Sequence, residues 1–585
     1  MTAPQQSAPS ADTRPAPVIS VIGTGYLGAT HAAAMAEMGF DTIGVDVDPA
    51  KLAALSAGEV PFFEPGLPEL ITKHVATGKL RFTADIAEAV GAADVHFVCV
   101  GTPQKAGSHA ANLAYVEAAT RGVAEHLTHP GLIVGKSTVP VGTAERLRAI
   151  VREYTPAGID AELIWNPEFL REGKAVDDTL HPDRLVWGGA SPAADAVIRE
   201  VYAAPIAEGT PVITTDLPTA ELVKVSANAF LATKISFINA ISEMCAITGA
   251  DVTTLADALG HDARIGRKFL NAGLGFGGGC LPKDIRALMH RANEIGAGRV
   301  VGLMQQVDEI NMGQRERVID MTIEALGGSV LNRRVAVIGA AFKPLTDDVR
   351  DSPALNVAAA LHLRGAQVTL WDPEANETAR RSFPTLSYAA SKEDAVEGAD
   401  VVLVLTEWDE IVRASPADLA SLVGRRTVID ARNCLPVADW VEAGWTVRSL
   451  GRPTPVTGAP VSVAAGANDV LVTARSSTRP ARRGPGRGRC GPRFRVPLPA
   501  PRSPGVLRES DSSPRTSRGE LSLPRTTPAP PALVSSAHRL PHTRKGPAPD
   551  GAGPFVHGED QTPKYSSYSN GCGRCASGRI SFSRL

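Results

Sequence analysis

The chain has 585 residues, of which 43% are hydrophobic, and its formal net charge is −2. This length suffices for two or three hydrophobic cores, since domains usually contain roughly 100–200 residues each. The charge is unevenly distributed, because residues 461–585 contain 20 Lys and Arg but 7 Asp and Glu. We therefore expect a multidomain soluble protein with an acidic body and a basic tail.

Targeting signals and disulfide bonds are not expected. Residues 1–17 have neither the basic segment nor the apolar core of a signal peptide. No later stretch reaches the roughly 18 unbroken apolar residues of a membrane span. Four of the seven cysteines are scattered through the body, at Cys99, Cys245, Cys280 and Cys434, which excludes a dense disulfide framework. We predict a cytoplasmic protein with reduced thiols and no membrane partner.

Short β-branched runs alternate with longer amphipathic stretches from Val18 to about Arg452, which is typical of parallel α/β layers. We predict buried strands at Val18–Ile22, Val95–Val100, Leu132–Val134 and Leu163–Trp165. Residues 218–248 keep helical periodicity over their whole length and predict one long helix. A second series of strands and helices, residues 333–433, repeats the order seen in residues 18–48. The predicted fold is α/β, with two Rossmann-like domains joined by a long central helix.

The C-terminal tail has a different composition. Residues 461–585 contain 17 prolines and 18 arginines but two lysines, without a sustained period of two or 3.6. We predict that this tail is disordered. Its basic charge leaves open a nucleic-acid-binding role, but the absence of a recognisable module favours a tail without function or an artefact, and we expect no specific nucleic-acid partner. Cys572 and Cys575 form a lone CxxC pair, so we predict no metal site.

A glycine-rich turn, GTGYLG at residues 23–28, follows the first predicted strand and opens a helix. Such a turn brings a helix N-terminus and its free N–H groups close to a pyrophosphate. The next strand ends at Asp46, where a carboxylate can accept hydrogen bonds from an adenosine ribose and repel a 2′-phosphate. The sequence therefore predicts NAD rather than NADP, the alternative being a structural turn. The corresponding turn at residues 339–342 lacks the second glycine and indicates a different nucleotide, with Lys343 near its phosphate or ribose.

Cys280 is preceded by four glycines and followed by Leu281-Pro282-Lys283. Because proline favours the first turn of a helix, we predict that Cys280 lies at a helix N-terminus beside Lys283, two features that lower a thiol pKa. Lys224 and Asn228 are four residues apart and share a face of the long helix. A partly desolvated ammonium at that position would stabilise an oxyanion.

From Val18 to about Pro453 the chain resembles the UDP-glucose 6-dehydrogenases, within the wider UDP-glucose/GDP-mannose dehydrogenase family. The motifs that carry this resemblance are GTGYLG (23–28), VGTP (100–103), KSTVPVGT (136–143), NPEFLREGKAVDD (166–178), VKVSANAF (223–230), RIGRKFLNAGLGFGGGCLPKD (264–284) and AFKPLTDDVRDSP (341–353). Gln104 and Gly279 depart from the commonest family pattern, and residues 461–585 lie outside the resemblance.

The resemblance implies catalytic roles for six residues: Cys280 as nucleophile, Lys224 and Asn228 on the sugar C6 oxygen, Asp284 in activating water, Glu168 in thioester hydrolysis and Thr138 in the water network. It implies NAD binding by Gly23, Gly25, Tyr26, Leu27, Gly28, Asp46, Lys51, Thr102, Thr138, Glu172, Lys283 and Arg350. It implies nucleotide-sugar binding by Glu168, Phe169, Leu170, Lys224, Asn228, Arg264, Phe269, Leu270, Asn271, Ala272, Gly273, Gly277, Phe342 and Lys343.

The implied reaction is a four-electron oxidation of UDP-glucose to UDP-glucuronate through a thioester, by a homodimer or larger homo-oligomer. Alternatives are GDP-mannose or another nucleotide sugar as substrate, although Phe269–Gly273 favours UDP-glucose, and a catalytically silent NAD-binding sensor. The resemblance implies an NAD-binding Rossmann-like domain (18–215), a central helical and dimerisation domain that carries the catalytic Cys (216–325) and a UDP-sugar-binding Rossmann-like domain (326–455). Composition predicts a disordered N-terminus (1–17) and a disordered tail (456–585).

Overall fold

The structure is a computed structural model that describes residues 15–454. The predictions made for residues 1–14 and for the tail from residue 455 onward, including Cys572 and Cys575, concern residues outside that range.

The first part of the described chain is built on an eight-stranded sheet in the order β3-β2-β1-β4-β5-β6-β7-β8. Its strands are β1 (Ile19–Ile22), β2 (Thr42–Val45), β3 (Leu80–Thr83), β4 (Val95–Val98), β5 (Gly131–Gly135), β6 (Ala161–Trp165), β7 (Leu185–Gly188) and β8 (Val212–Thr215). Its helices are α1 (Tyr26–Glu37), α2 (Pro49–Ser56), α3 (Leu67–Thr77), α4 (Ile86–Gly91), α5 (Ala114–His126), α6 (Thr143–Tyr154), α7 (Ala175–Leu180), α8 (Pro192–Val201) and α9 (Ala203–Ala207).

This sheet confirms the predicted Rossmann-like order. The order in which successive strands are added to the sheet reverses between the parallel strands β1 and β4. A crevice therefore forms beyond their carboxyl ends, where nucleotides bind in such folds. Every residue of β1 and β4 is buried, because helices cover both faces of the sheet. One pairing differs from the predicted parallel arrangement: β6 and β7 are antiparallel, with Trp165 opposite Gly188.

Four helices follow the first sheet: α10 (Leu217–Thr248), α11 (Val252–Gly260), α12 (Leu281–Glu294) and α13 (Gly298–Ala325). Asp216 caps the start of α10 by accepting a hydrogen bond from the Thr219 N–H at 2.7 Å. Gly249, whose φ is 77°, is the C-cap that follows the last helical residue. The predicted long helix is thus confirmed, beginning one residue earlier. Both ends have the chemistry expected of a cap, since Asp accepts from free N–H groups and Gly adopts left-handed backbone.

By length and composition alone, α10 is apolar enough to cross a membrane, and 33% of its most apolar window is buried. It also carries buried polar side chains. Glu221 accepts hydrogen bonds from the Gly142 and Ala144 N–H groups at 2.7 and 2.6 Å, beside the start of α6. Such contacts attach α10 to the first sheet's helices.

The last part of the described chain forms a six-stranded parallel sheet in the order β11-β10-β9-β12-β13-β14. Its strands are β9 (Arg334–Ile338), β10 (Gln367–Trp371), β11 (Ser387–Tyr388), β12 (Val401–Val404), β13 (Thr427–Asp430) and β14 (Thr446–Ser449). Its helices are α14 (Pro353–Leu363), α15 (Asn376–Ser382), α16 (Lys392–Val396), α17 (Asp409–Val412), α18 (Pro416–Ala420) and α19 (Val437–Glu442). This is the second Rossmann-like domain expected from the repeated sequence order.

Helix α13 fixes the glycine-rich segment that precedes α12. The buried Asn311 side chain accepts a hydrogen bond from the Phe276 N–H at 2.7 Å and donates one to the Phe276 carbonyl at 3.0 Å. Gly275 has φ of 93°, and a Cβ there would lie 2.4 Å from the Asn311 Oδ1. Glycine is therefore needed at 275 for both conformation and space.

We expect Asn311→Ala to reduce the free energy of unfolding by roughly 2–4 kcal/mol, because the N–H and C=O of Phe276 would be buried without partners. The measurement is the apparent Tm from thermal unfolding followed by circular dichroism. Asn293→Ala, at an exposed position on α12, is the control and should leave Tm unchanged. Equal Tm values for the two variants would contradict the structural role of Asn311.

Candidate active site

The glycine-rich turn between β1 and α1 has the shape required by a dinucleotide. A Cβ on Gly28 would lie 1.8 Å from the Gly23 carbonyl oxygen, so α1 packs against the turn only with glycine there. A Cβ on Gly25 would meet nothing within 4 Å, and Gly25 is the N-cap of α1 without a side-chain cap. The N–H groups of the first turn are therefore available to a pyrophosphate.

Asp46 lies directly after β2 and is 8% exposed. Its carboxylate accepts hydrogen bonds from the Thr24 N–H at 2.9 Å and the Thr24 hydroxyl at 3.1 Å, and it pairs with the Lys51 ammonium at 2.8 Å. Burial acts to raise the pKa of Asp46, but Lys51 and the backbone donors together lower it. The site thus presents an ionised carboxylate next to the glycine-rich turn, with Lys51 as its counter-ion.

Glu64, which the sequence analysis missed, attaches the turn to the motif at residues 166–178. The Tyr26 hydroxyl donates to the Glu64 carboxylate, which also accepts hydrogen bonds from the Gly173 and Ala175 N–H groups at 2.6 and 2.7 Å. Burial raises the pKa of Glu64 in spite of these donors. The sequence signal was weak, because Glu64 stands in an aromatic and proline-rich stretch that has no catalytic pattern.

Cys280 is the N-cap residue of α12, and proline lies in the first turn of that helix. The glycines before Cys280 allow the C-terminal domain to approach the backbone closely. A Cβ on Gly277 would lie 2.4 Å from the Asp351 carbonyl oxygen, and one on Gly278 would lie 2.7 Å from the Phe342 ring. Cys280 is exposed, whereas Cys99 and Cys245 are buried. The structure therefore separates one accessible thiol from two core thiols.

The pKa of Cys280 differs from the sequence expectation. A helix N-terminus and an adjacent lysine were expected to lower it. Enclosure by the surrounding protein instead raises it to about 12, together with the negative charges of Asp284, Glu168 and Glu172; Lys224 acts in the opposite direction. The residue as a whole is exposed, but enclosure of its sulfur is the largest cause of the raised pKa, so the thiol is neutral near pH 7.

Lys224 on α10 is 7% exposed, and its ammonium pairs with the Glu168 carboxylate at 2.9 Å. Burial alone would lower the pKa of Lys224, but Glu168, Cys280 and Asp284 raise it above its ordinary value. The ammonium also lies 5.7 Å from the centre of the Phe169 ring. A permanent positive charge thus lies beside the Cys280 thiol.

Asn228 lies one turn further along α10. Its side-chain amide donates a hydrogen bond to the Asp284 carboxylate at 2.6 Å, and the Lys283 ammonium binds the other oxygen of Asp284 at 2.6 Å. Asp284 is 2% exposed. Since α10 and α12 pack together, the predicted face carrying Lys224 and Asn228 meets the first turn of α12, next to Cys280.

Thr102 and Thr138 belong to loops that follow neighbouring strands, β4 and β5. The Thr102 hydroxyl donates to the Thr138 carbonyl at 2.6 Å, so it is engaged within the protein. Thr138 also lines a cleft with Lys283 and Asp284. This cleft, which we call the α12 cleft, reaches the reactive cluster from the side of α12.

Residues from the first and last domains meet at Glu172. Lys343 donates to the Glu172 carbonyl, and the Arg350 guanidinium lies 3.3 Å from the Glu172 carboxylate. Burial and the charge of Asp348 raise the pKa of Glu172 to about 7. Arg350 is also close to Gly279, where a Cβ would lie 2.3 Å from its guanidinium carbon. Arg350 therefore approaches the chain immediately before Cys280.

The segment Phe269–Gly273 runs between α10 and the last sheet. The Gly273 N–H donates to the Asn239 side chain at 2.8 Å, and the Ala272 carbonyl accepts a hydrogen bond from Asn433 at 3.0 Å. Phe269 has φ of 65°, a conformation that is uncommon for a bulky residue. This segment and Phe342 thus lie on the side of the C-terminal domain.

Two of the predicted binding residues do not reach the cluster around Cys280. The Arg264 side chain is 89% exposed and pairs with Asp262 at 2.6 Å. The Asn271 side chain accepts a hydrogen bond from Arg267 at 2.6 Å. Within residues 15–454 no group of three or more His, Cys, Asp and Glu residues is arranged to hold a metal ion.

Three regions of the chain match sequence profiles of one family. The NAD-binding domain of the UDP-glucose/GDP-mannose dehydrogenase family matches residues 18–206, its central domain residues 218–313 and its UDP-binding domain residues 336–437.

Similar proteins include UDP-glucose 6-dehydrogenases of Rhizobium meliloti (strain 1021) and Bacillus subtilis (strain 168). The first is 41% identical, with 74% of this chain and 99% of the relative covered. The second is 42% identical, with 74% and 93% covered. The solved structure of a UDP-glucose dehydrogenase from Pyrobaculum islandicum is 34% identical and superposes with a TM-score of 0.70, covering 76% of this chain and 100% of that one. The chain belongs to the UDP-glucose/GDP-mannose dehydrogenase family.

Proposed function

We propose that the chain oxidises UDP-glucose at C6 to UDP-glucuronate, with NAD as oxidant and with a thiohemiacetal and then a thioester on Cys280. The observation that carries the proposal is the convergence of one accessible thiol with an ammonium, an amide and two carboxylates from three elements: Cys280, Lys224, Asn228, Asp284 and Glu168. The similar proteins named above are UDP-glucose 6-dehydrogenases. A silent NAD-binding sensor has no use for this set of groups.

The first sheet fits NAD, since the open Gly25 backbone, the uncapped start of α1 and the ionised Asp46 suit a pyrophosphate and an adenosine ribose. When bound, NAD supplies the acceptor for one hydride in each of two oxidations. We propose that Tyr26, Leu27, Thr102 and the other predicted NAD residues line this site. GDP-mannose remains the alternative substrate, and the segment Phe269–Gly273 favours UDP-glucose.

In the first oxidation, Lys224 and Asn228 hold the C6 oxygen. The alcohol proton passes to a carboxylate of the cluster, the Lys224 ammonium stabilises the negative charge left on the oxygen, and its low exposure strengthens the interaction. The Asn228 amide donates to Asp284 at 2.6 Å, which leaves its second N–H for the substrate.

The Cys280 sulfur then adds to the aldehyde carbon. The C–S bond forms as the carbonyl π bond opens, the thiol proton passes to a carboxylate of the cluster, and the oxygen takes up the charge beside Lys224. The second oxidation gives the thioester. Water, activated by Glu168 and Asp284, adds to the thioester carbon and the C–S bond breaks. In total, one alcohol, two NAD and one water yield one carboxylate, two NADH and three protons.

Cys280→Ala should abolish formation of UDP-glucuronate, because no thiohemiacetal forms, while wild type gives two NADH per UDP-glucose. The product must be followed by chromatography, since a first hydride transfer does not need the thiol. Cys99→Ala and Cys245→Ala, at buried positions, are controls that should lower stability and keep product formation. UDP-glucuronate from folded Cys280→Ala at near wild-type rate would refute the thioester mechanism.

Cofactor choice tests Asp46. Wild type should strongly prefer NAD to NADP. Asp46→Ala removes the repulsive carboxylate and frees Lys51 from its 2.8 Å ion pair, so the ratio of kcat/KM for NADP to that for NAD should rise on the order of tenfold or more. Asp48→Ala, which removes only the side-chain cap of α2, is the matched control. Equal use of both cofactors by wild type would contradict the assignment.

We also propose that a second copy of the chain covers the exposed face of α10. Phe230, Phe237 and Met244 are spaced by seven residues and are 66%, 49% and 61% exposed. Large apolar side chains exposed along one face of a helix are typical of a protein interface. In this proposal residues 18–215, 216–325 and 326–455 form three domains, of which the middle one dimerises, and the protein acts in the cytoplasm, where thiols stay reduced.

Phe237→Glu should convert the dimer to a monomer, because a charge would lie within the apolar contact. Sedimentation velocity measures the outcome. Leu363→Glu, which alters a side chain that is 85% exposed in the C-terminal domain, should leave the dimer intact. A wild-type monomer, or an unchanged Phe237→Glu dimer, would refute this interface.

A further inference from the structure

A second cleft, between α1, α7 and the loop before β7, is lined by Glu168 but not by its ion-pair partner Lys224. Its lining includes Glu168, Phe169 and buried polar groups, and about 40 Å³ of it is open to the centres of water molecules. We call it the α7 cleft. One water needs roughly 10–15 Å³ measured in this way, so the α7 cleft has room for about three. The α12 cleft, in contrast, is lined by Asp284 and Thr138.

The inner wall of the α7 cleft carries a buried positive charge. Lys136 is 6% exposed, and its ammonium donates hydrogen bonds to the Asn166 carbonyl oxygen and the Tyr202 hydroxyl, both at 3.0 Å. Among residues 15–454 no carboxylate forms an ion pair with Lys136. Burying a charge with neutral partners alone is unfavourable by several kcal/mol, and an aliphatic side chain would fill the space at lower cost. The charge itself therefore needs an explanation.

Lys136 connects the loops that carry two predicted catalytic residues. It lies two residues before Thr138, and its partner Asn166 lies two residues before Glu168. The Asn166 amide also donates to the Val186 carbonyl at 2.7 Å, which fixes it to β7. Loss of the Lys136 contact would therefore release the start of the loop that positions Glu168.

Lys136 and Glu168 both act electrostatically on one buried thiol. The buried Cys99 thiol lies within electrostatic range of both groups: burial raises its pKa to about 12, Lys136 acts to lower it, and Glu168 acts to raise it. His31, on the same wall, is 1% exposed, and neither ring nitrogen has a hydrogen-bond partner among the described protein atoms. Burial, and then Lys136, lower the pKa of His31 well below its usual value, so it is a neutral imidazole in the lining of the cleft.

The mouth of the α7 cleft carries charges of both signs. Asp178 and the exposed Asp183 lie there, with Arg171 paired to Asp178 and the Arg184 guanidinium 3.7 Å from the centre of the Phe169 ring. Arg171 and Arg184 offset the charge of these two carboxylates. The exposed Asp183 places polar atoms between the cleft and solvent.

We propose that the α7 cleft supplies water to Glu168 and carries protons away from it during thioester hydrolysis, with Lys136 as the positioning residue of Glu168. This inference rests on the proposed function, in which cofactor and nucleotide sugar occupy the space between the domains. In hydrolysis, water oxygen bonds to the thioester carbon, one water proton passes to Glu168, and the C–S bond breaks. The carboxylic acid then gives its proton to the sulfur, and Glu168 releases its own through the cleft.

The test is rapid mixing of Lys136→Met with saturating NAD and UDP-glucose. Met keeps the length of the side chain without its charge. Wild type and Lys136→Met should both release a burst of two NADH per site, and the later steady rate of Lys136→Met should fall on the order of tenfold. Intact-mass analysis after acid quenching should then find the glucuronyl adduct on Cys280. Ser20→Ala, which removes a buried 2.8 Å hydrogen bond to His96 away from the cleft, controls for lost stability and should keep the wild-type ratio of burst to steady rate.

Thr179→Phe narrows the α7 cleft without altering its charge. This variant should also keep the NADH burst and lose steady-state rate. It is the test of the inference if Lys136→Met does not fold. A steady rate within about twofold of wild type, or a parallel loss of burst and steady rate, would overturn the inference. The proposed function fails separately, if wild type does not give two NADH per UDP-glucose or if no adduct depends on Cys280.

Discussion

The buried ion pair between the Lys224 ammonium and the Glu168 carboxylate is the interaction on which the rest of the site depends. At 7% exposure the ammonium is stable because Glu168 lies 2.9 Å away and because Asp284 adds a further negative charge. Removal of one partner from such a pair leaves the other buried without compensation, which is destabilising by roughly 3–5 kcal/mol. Since Lys224 is on α10, Glu168 follows β6 and Asp284 is on α12, this one charge fixes three elements relative to one another.

The C-terminal domain is coupled to the same point through the glycine-rich segment before Cys280. Gly277 and Gly278 approach Asp351 and Phe342 so closely that a Cβ would collide with them. Asp351 itself has φ of 46° and is held between Arg286 and Arg315, at 3.1 and 3.2 Å. Its two arginine partners stabilise this uncommon conformation. A shift of the C-terminal domain therefore moves the chain that carries the thiol, so that domain position and nucleophile position are linked.

Sequence periodicity was sufficient for the fold and for part of the site. The spacing of Lys224 and Asn228 on a helix put both on the face that meets α12, because helical geometry alone determines that relation. The same reasoning did not find Glu64 or Asn311. Their partners, Gly173 and Phe276, are distant in sequence or are backbone groups, and no local pattern encodes such contacts. The antiparallel pairing of β6 and β7 was not predicted for a similar reason, because strand direction depends on the path of the connecting chain.

The pKa of Cys280 shows the limit of local reasoning most clearly. The helix N-terminus and Lys283 are sequence neighbours of the thiol, and each taken alone favours a thiolate. Asp284 binds Lys283, however, and Glu168 and Glu172 approach from another domain.

The carboxylates that add to the effect of burial on the Cys280 pKa are also the proton acceptors of the proposed reaction. Three protons are released for each sugar oxidised in that reaction. A neutral thiol can give its proton to one of these groups as it adds to the aldehyde, when charge moves from sulfur to the oxygen beside Lys224. The raised pKa of Cys280 follows from burial and from the carboxylates near it, so the thiol becomes nucleophilic only as its proton is transferred.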